Sequence, residues 1–106
     1  MTIHSYRDLI VWRKAIELVI EVYRLTSKFP REEAYGLTAQ MRRAAVAIPS
    51  NIAEGRLRGH RKGFRQFLLT AFSSGGELET QIEIAKHLPF TQHFDYRKAD
   101  TLLDES

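Results

Sequence analysis

The longest regular pattern in the chain is a helical repeat of apolar and small residues. Its members step alternately by four and three residues, a spacing that places all of them on one face of an α-helix. A helix over residues 60–88 is about 40 Å long, and other helices must cover its apolar face. The pattern therefore predicts a helical bundle. Its members are Phe64, Leu68, Ala71, Gly75, Leu78, Ile82 and Ala85.

A first helix is predicted over residues 7–28. It carries two adjacent apolar stripes, which together form a face wide enough for the core of a bundle. One stripe includes Trp12 and Tyr23, whereas Glu21 belongs to the charged positions that are expected to face solvent. Pro30 follows, and the helix should end there because the residue before a proline is biased away from helical geometry.

A second helix is predicted over residues 32–55, with a proline in its interior. Pro49 removes one backbone hydrogen bond and crowds a carbonyl one turn earlier, which either kinks a helix or splits it. The apolar stripe keeps its phase from Ile48 to Ile52, which favours a kink. Gly55 is expected to end the helix, because glycine is common just after a helix C-terminus.

A short fourth helix is predicted over residues 95–104. The sequence shows no strand alternation, internal repeat or low-complexity segment, and its 106 residues suit one domain with one modest core. The expected fold is therefore all-α, a single domain over residues 1–106. It is an antiparallel up-and-down four-helix bundle with a kinked second helix and a short fourth helix.

The middle of the third helix is built from small residues, SSGG at residues 73–76. A glycine inside a helix costs roughly 1 kcal/mol relative to alanine. Close approach of another helix would compensate for this cost, so a neighbouring helix is expected against the segment. A local break in the helix is the alternative.

Composition and the N-terminal sequence exclude several classes of protein. The chain contains no cysteine, so it has no disulfide framework, thiol nucleophile or cysteine-based zinc site. Its first residues lack the basic start, apolar core and cleavage site of a signal peptide. No apolar run approaches the roughly 18–20 residues that span a bilayer. We therefore expect a cytoplasmic protein that is not associated with a membrane.

Positive charge is concentrated in the first part of the chain. Residues 1–65 hold 13 Lys and Arg against 6 Asp and Glu, whereas residues 66–106 hold 3 against 7. Residues 56–65, hereafter the basic connection, hold five Lys or Arg and one His without an acidic residue. Such a cluster indicates either a surface for phosphates or acidic partners, or a solvated face that complements the acidic remainder of the chain or a neighbouring subunit.

Several short motifs, spread in order over residues 6–90, resemble those of one protein family. They are YRDLIVW at residues 6–12, YGLT at 35–38, QMRRA at 40–44, IPSNIAEG at 48–55 and ELETQ at 77–81. The chain thus resembles the proteins encoded within intervening sequences of bacterial 23S ribosomal RNA genes, also called S23 ribosomal proteins. The resemblance implies a four-helix bundle that assembles as a homopentamer. It also implies distant similarity to the accessory proteins of diversity-generating retroelements, which are basic pentamers associated with nucleic acid, but it implies no biochemical activity.

The basic connection is the candidate binding site. Arginine suits phosphate because its planar guanidinium donates two parallel hydrogen bonds and keeps its charge. Only Phe64, on the apolar stripe, interleaves with these cations, so contact with nucleic-acid backbone rather than with bases is expected. A solvated connection in which Arg58 pairs with Glu54 is the alternative. The candidate nucleic-acid-binding residues are Arg56, Arg58, His60, Arg61, Lys62 and Arg65.

The motif residues of the second helix are assigned structural roles. Arg42 and Arg43 are expected to hold the fold or a subunit interface rather than phosphate. Asn51 and Glu54 lie close to the proline and are expected to satisfy a freed carbonyl or to pair with arginine. The full set of structural residues is Arg42, Arg43, Pro49, Asn51, Glu54 and Gly55.

No recognisable motif for catalysis or cofactor binding is present. Glu79, Glu83 and His87 share one helix face, but a di-metal site in a bundle uses Glu-x-x-His pairs, and the chain has none. An exposed polar face is the simpler interpretation, so no metal, cofactor or catalytic residue is predicted. The sequence favours a non-catalytic oligomeric bundle that binds RNA or DNA backbone. The alternative is a protein-interaction scaffold whose charges serve ring assembly and a protein partner.

Overall fold

The computed structural model describes residues 6–7, 9–59 and 61–105, which form four α-helices and no strand. Helix α2 packs along α3, α1 packs against α2 and α4, and α3 also contacts α4. This is the order of neighbours in an up-and-down bundle, so the predicted all-α four-helix fold is confirmed. The helices are α1 Ile10–Thr26, α2 Leu37–Arg58, α3 Arg61–His87 and α4 Arg97–Glu105.

One hydrophobic core runs between the helices. Each fully buried Leu, Ile or Met side chain contributes about 1.5–3 kcal/mol through the removal of apolar surface from water. The α1 stripe that contains Leu18 faces this core, whereas Tyr23, which was predicted to lie in the core, is 43% exposed. The largest apolar side chains that are almost completely buried are Leu18, Val22, Leu25, Met41, Ile52, Leu78 and Ile82.

Glu21 is buried, although the sequence pattern placed it on the solvated side of α1. Its carboxylate accepts hydrogen bonds from Nε of Arg24 at 2.8 Å and from Nη2 of the same residue at 2.6 Å. A buried carboxylate is tolerated when a cation pairs with it and satisfies its lone pairs. The bidentate contact with Arg24 therefore allows Glu21 to be buried, and the prediction that Glu21 faces solvent is wrong.

Helix α2 is longer at its C-terminus than predicted and starts later. A 3₁₀ turn at Arg31–Glu33 precedes it, and the side chain of Glu33 accepts a hydrogen bond from the backbone N–H of Leu37 at 3.3 Å. The helix continues through Pro49 without a split. It also passes Gly55, the predicted end, and stops at Gly59, whose φ of +77° is the left-handed geometry of a glycine C-cap.

Gly75 and Gly76 of α3 have open space beside them, contrary to the expected close approach of another helix. A Cβ added at Gly75 or Gly76 would meet nothing within 4 Å. An apolar groove of about 430 Å³ runs beside them, with Phe72 on α3 and Leu103 near the end of α4 in its lining. Among the described residues α4 has nine residues and α3 has 27, so α4 runs along only part of α3.

The end of the bundle that holds the α1–α2 and α3–α4 connections is closed by buried polar and aromatic contacts. Thr91 donates a hydrogen bond from Oγ1 to the carbonyl of Ala85 at 2.6 Å, and the Tyr96 hydroxyl donates to the carbonyl of Thr91 at 2.7 Å. Burial raises the pKa of Tyr96 to about 12. Phe29 and Phe94 stack with their ring centroids 5.7 Å apart. We call this the closed end.

Candidate nucleic-acid interface

The basic connection lies at the opposite end of the bundle, where α2 turns into α3. Gly59 reverses the chain, and the last turn of α2 and the first turns of α3 project their cations from the same end. His60 lies outside the described residues. None of the described residues from 56 to 70 is buried. The five described members of the predicted site, all of them exposed, are Arg56, Arg58, Arg61, Lys62 and Arg65.

Close packing at Gly55 joins the two helices that carry these cations. Gly55 is buried, and a Cβ at this position would lie 2.8 Å from Cβ of Phe67 and 3.1 Å from Cδ1 of Phe64. Only a residue without a side chain allows α3 to come this near. The glycine that was predicted to end α2 instead packs closely against α3.

The two aromatic residues of this contact also make cation–π contacts with arginines of α2. The guanidinium carbon of Arg56 lies 5.8 Å from the ring centre of Phe64, and that of Arg58 lies 5.3 Å from the ring centre of Phe67. Such cation–π contacts at exposed sites contribute about 0.5–1 kcal/mol. Sequence reasoning placed Phe64 only in the core and gave Phe67 no role at the site, because these contacts depend on where the hairpin turns.

Most cations of the basic connection lack an acidic partner. Arg58 pairs with Glu54 at 3.1 Å, in agreement with the alternative weighed from the sequence, and both side chains are about half exposed. Among the described residues no ion pair involves Arg56, Arg61, Lys62 or Arg65. Their charges therefore remain available to an external anion.

Outside the basic connection, four Lys and Arg side chains form ion pairs within the chain, namely Lys14, Arg24, Lys86 and Arg97, whereas others such as Arg31 and Lys98 form none among the described residues. Lys86 pairs with Asp100 at 2.7 Å, and this hydrogen bond raises the pKa of Lys86. At the closed end, hydrogen bonds from Arg97 hold the pKa of Asp95 well below its usual range. Lys14 likewise lies 3.1 Å from Glu105. The basic connection is distinguished by the clustering of its cations, since four without an acidic partner lie within residues 56–65.

The structural residues of α2 do not form a second site. Arg42 is half-buried toward the closed end, where its Nε donates to Oγ1 of Thr26 at 2.8 Å and its guanidinium lies 4.3 Å from the ring centre of Tyr23. Arg43 is exposed. The side-chain amide of Asn51 donates to the carbonyl of Ala47 at 2.7 Å rather than to the carbonyl that Pro49 leaves without its usual donor.

The acidic residues of the second half of the chain show no arrangement for a metal. In the described residues no group of three or more His, Asp or Glu side chains is placed to hold an ion. Glu79, Glu83, Asp100 and Asp104 line a shallow groove between α3 and α4 together with Lys86. His87 lies 3.4 Å from Glu83 and is exposed.

Together these features define a small helical-bundle protein with an arginine-rich end that its own carboxylates do not neutralise. The chain belongs to the 23S rRNA-intervening sequence protein family, whose model matches residues 7–106. A search of curated proteins gave no significant match. Within the described parts of the chain, none of the helices combines the length and the apolar character needed to cross a membrane.

Proposed function

We propose that this protein is a non-catalytic, oligomeric helical bundle that binds the backbone of RNA or DNA through the basic connection. The observation that carries the proposal is the cluster of exposed cations at this end, four of which lie within residues 56–65 without an acidic partner among the described residues. Phosphate is the ligand that a cluster of arginine side chains recognises through charge and bidentate hydrogen bonds. A cytoplasmic location is part of the proposal.

Assembly would strengthen the binding without new contacts in each subunit. Repeated copies of the basic connection on one particle engage several phosphates of one strand at once, so modest single affinities combine. The homopentamer that family membership suggests would present five such copies. Oligomer mass, measured by light scattering, tests this part of the proposal separately.

Salt dependence tests the binding itself. We expect labelled single-stranded RNA and DNA to bind at low salt, with log K falling linearly as log salt concentration rises because counterions are released. Replacing Arg56 and Lys62 with glutamate should weaken binding by at least about tenfold and lower the salt slope by about one for each phosphate that is no longer neutralised. The control exchanges Arg31 and Lys98, two exposed cations at the closed end, for glutamate and so makes the same change in net charge.

Two results would overturn the proposal. The first is the absence of binding to RNA, single-stranded DNA and duplex DNA at low salt. The second is equal weakening by the Arg56/Lys62 and Arg31/Lys98 variants, since the basic connection would then have no special role. Circular dichroism of each variant shows whether the helices remain folded.

The alternative, a protein-interaction scaffold, is supported by a different surface. Ile20 and Tyr23 on α1 and Val46 on α2 are exposed apolar side chains, and such a surface suits a protein partner or a ring contact. Binding of a protein partner that is insensitive to charge reversal in the basic connection, together with no affinity for nucleic acid, would favour this function.

A further inference from the structure

One acidic residue lies in a long basic part of the sequence that includes the basic connection. Residues 34–76 hold seven Lys and Arg but a single acidic residue, Glu54. It lies near the C-terminus of α2, one turn before Arg58, and its side chain is exposed. A carboxylate beside a cluster of cations reduces the attraction of that cluster for phosphate. The position of Glu54 therefore determines which cation it affects.

Arg58 has a partner on each of the two helices of the hairpin. Its Nη2 lies 3.1 Å from Oε1 of Glu54, four residues earlier on α2. Its guanidinium carbon lies 5.3 Å from the ring centre of Phe67 on α3. A phosphate that binds Arg58 competes with Glu54 for the N–H groups of the guanidinium and meets the negative charge of Glu54 at close range.

Arg56 is placed differently from Arg58. Residues two positions apart in an α-helix point in directions about 200° apart, so the two arginines lie on opposite flanks of the contact between α2 and α3. Their aromatic partners agree with this placement, since Arg56 lies over Phe64 and Arg58 lies over Phe67. Side chains four apart on a helix are neighbours, whereas side chains two apart do not face each other. Glu54 therefore acts on Arg58 and not on Arg56.

We infer that Glu54 limits the affinity of the proposed nucleic-acid site by withholding Arg58 from the phosphate backbone. The inference rests on the proposed function, because it concerns the same basic connection. Arg58 is held in an ion pair within α2, whereas the other Lys and Arg of the basic connection have no acidic partner among the described residues. A strand binds to those unpaired cations first. Arg58 adds a contact only when the carboxylate of Glu54 is displaced or its charge is removed.

The exposure of the ion pair determines the size of the effect. The side chains of Arg58 and Glu54 are 55% and 48% exposed, so water and salt screen their attraction. Exposed pairs of this kind change an equilibrium constant by up to about fivefold. Glu54 therefore weakens phosphate binding without abolishing it, and its effect decreases as the salt concentration rises.

Removal of the charge of Glu54 tests the inference. Binding of labelled single-stranded RNA to the whole chain, purified free of nucleic acid, is measured over a range of salt concentrations. We expect Glu54→Gln to tighten binding by about two- to fivefold at low salt. The slope of log K against log salt concentration should become steeper by about 0.7, which corresponds to one more neutralised phosphate of a single strand. A role of Glu54 in stability alone would leave this slope unchanged.

A double-mutant cycle assigns the effect to Arg58. In the Arg58→Gln background, Glu54→Gln should no longer tighten binding, because it releases no arginine. In the Arg56→Gln background, it should tighten binding as much as in the wild-type chain, since Arg56 lies on the other flank of the hairpin. Arg58→Gln alone should weaken binding less than Arg56→Gln alone, because Arg58 contributes little to binding while it is paired.

A second ion pair provides a matched control for net charge. Lys14 and Glu105 also lie 3.1 Å apart, outside the basic connection. Glu105→Gln removes the same charge as Glu54→Gln and likewise releases a cation, and it should leave both the RNA affinity and the salt slope unchanged. Circular dichroism of each variant shows whether the helices remain folded.

Three results would overturn the inference: wild-type RNA binding by Glu54→Gln, a gain in affinity that persists in the Arg58→Gln background, or an equal gain from Glu105→Gln. The proposed function would stand in each case if charge reversal in the basic connection still weakened RNA binding more than charge reversal at the closed end. Absence of RNA binding by the wild-type chain would overturn the proposed function and this inference together.

Discussion

The two ends of the bundle are built by different means. At the closed end, buried side chains such as Leu25 and Tyr96 lie among aromatic stacking and buried hydrogen bonds. At the basic connection, no described residue from 56 to 70 is buried, and Gly55 packs closely against Phe64 and Phe67 of α3. The closed end is therefore rich in buried contacts, whereas the other end exposes a cluster of unpaired cations.

The difference shows how a small protein can keep a repulsive cluster of cations. Like charges in one connection destabilise the compact state through their mutual repulsion. The core around Leu18 and Met41 supplies stability that does not depend on this connection. Three substitutions test whether the two ends differ as described, and they are ordered by the size of the expected effect.

The largest effect is expected from truncation at the closed end. Leu25 is 1% exposed, so Leu25→Ala should lower the free energy of unfolding by about 2–5 kcal/mol, because apolar burial is reduced and a cavity is left behind. The same truncation at Leu57, which is 42% exposed within the basic connection, should cost no more than about 0.5 kcal/mol. Urea unfolding measures the free energy of unfolding of both variants. Equal losses of unfolding free energy would show that the two ends contribute equally to the stability of the fold.

An intermediate effect is expected at Gly55. Gly55→Ala places a Cβ 2.8 Å from Cβ of Phe67, and this overpacking should lower the free energy of unfolding by about 1–3 kcal/mol. Gly76→Ala, where an added Cβ meets nothing within 4 Å, should instead raise it by up to about 1 kcal/mol, because alanine favours the helix. Thermal melts at low protein concentration distinguish the two. A gain at Gly55 would contradict the close contact between α2 and α3.

The smallest effect at neutral pH is expected from Tyr96→Phe, which removes the hydrogen bond to the carbonyl of Thr91 and should cost about 0.5–1.5 kcal/mol. The folded-state pKa of Tyr96 is raised from 10.0 to about 12, so the folded chain favours the protonated hydroxyl. Its contribution is complete below pH 10 and is lost as pH rises toward 12.

Melting temperature measured against pH tests this titration. The wild-type chain should lose stability between pH 10 and 12 by more than the Tyr96→Phe variant does. Tyr35, which is 99% exposed, provides the control, because Tyr35→Phe should leave the alkaline loss unchanged. Parallel pH curves for the wild type and the Tyr96 variant would be inconsistent with a buried, titrating hydroxyl.

Helical periodicity predicted the fold because it reports directly on which residues face a core. The steps from Phe64 to Ala85 predicted α3 with nearly its observed bounds, 60–88 against Arg61–His87. The positions of glycine residues predicted the helix ends less well. Gly55 and Gly59 both suit a helix end, and only the position of α3 determines that Gly55 packs against Phe67 while Gly59 adopts positive φ.

Some features of the candidate site could likewise be predicted from the sequence, and others could not. Clustering of charge along the chain predicted which cations would be exposed, since Arg61, Lys62 and Arg65 have no acidic residue nearby in sequence. It could not predict that Arg56 lies over Phe64, because that contact joins two helices across a turn. The open face at Gly75 was also unpredictable from local pattern, since it depends on how far α4 extends along α3.

The close packing at Gly55 has a consequence for the entropy of the proposed binding. Because two helices meet there without an intervening side chain, the guanidinium groups of Arg56 and Arg58 are mounted on a stiff support rather than on a mobile loop. A stiff support loses little conformational freedom when a ligand binds. Under the proposed function, the hairpin would therefore present its arginines to a phosphate backbone at low entropic cost, without reading the bases.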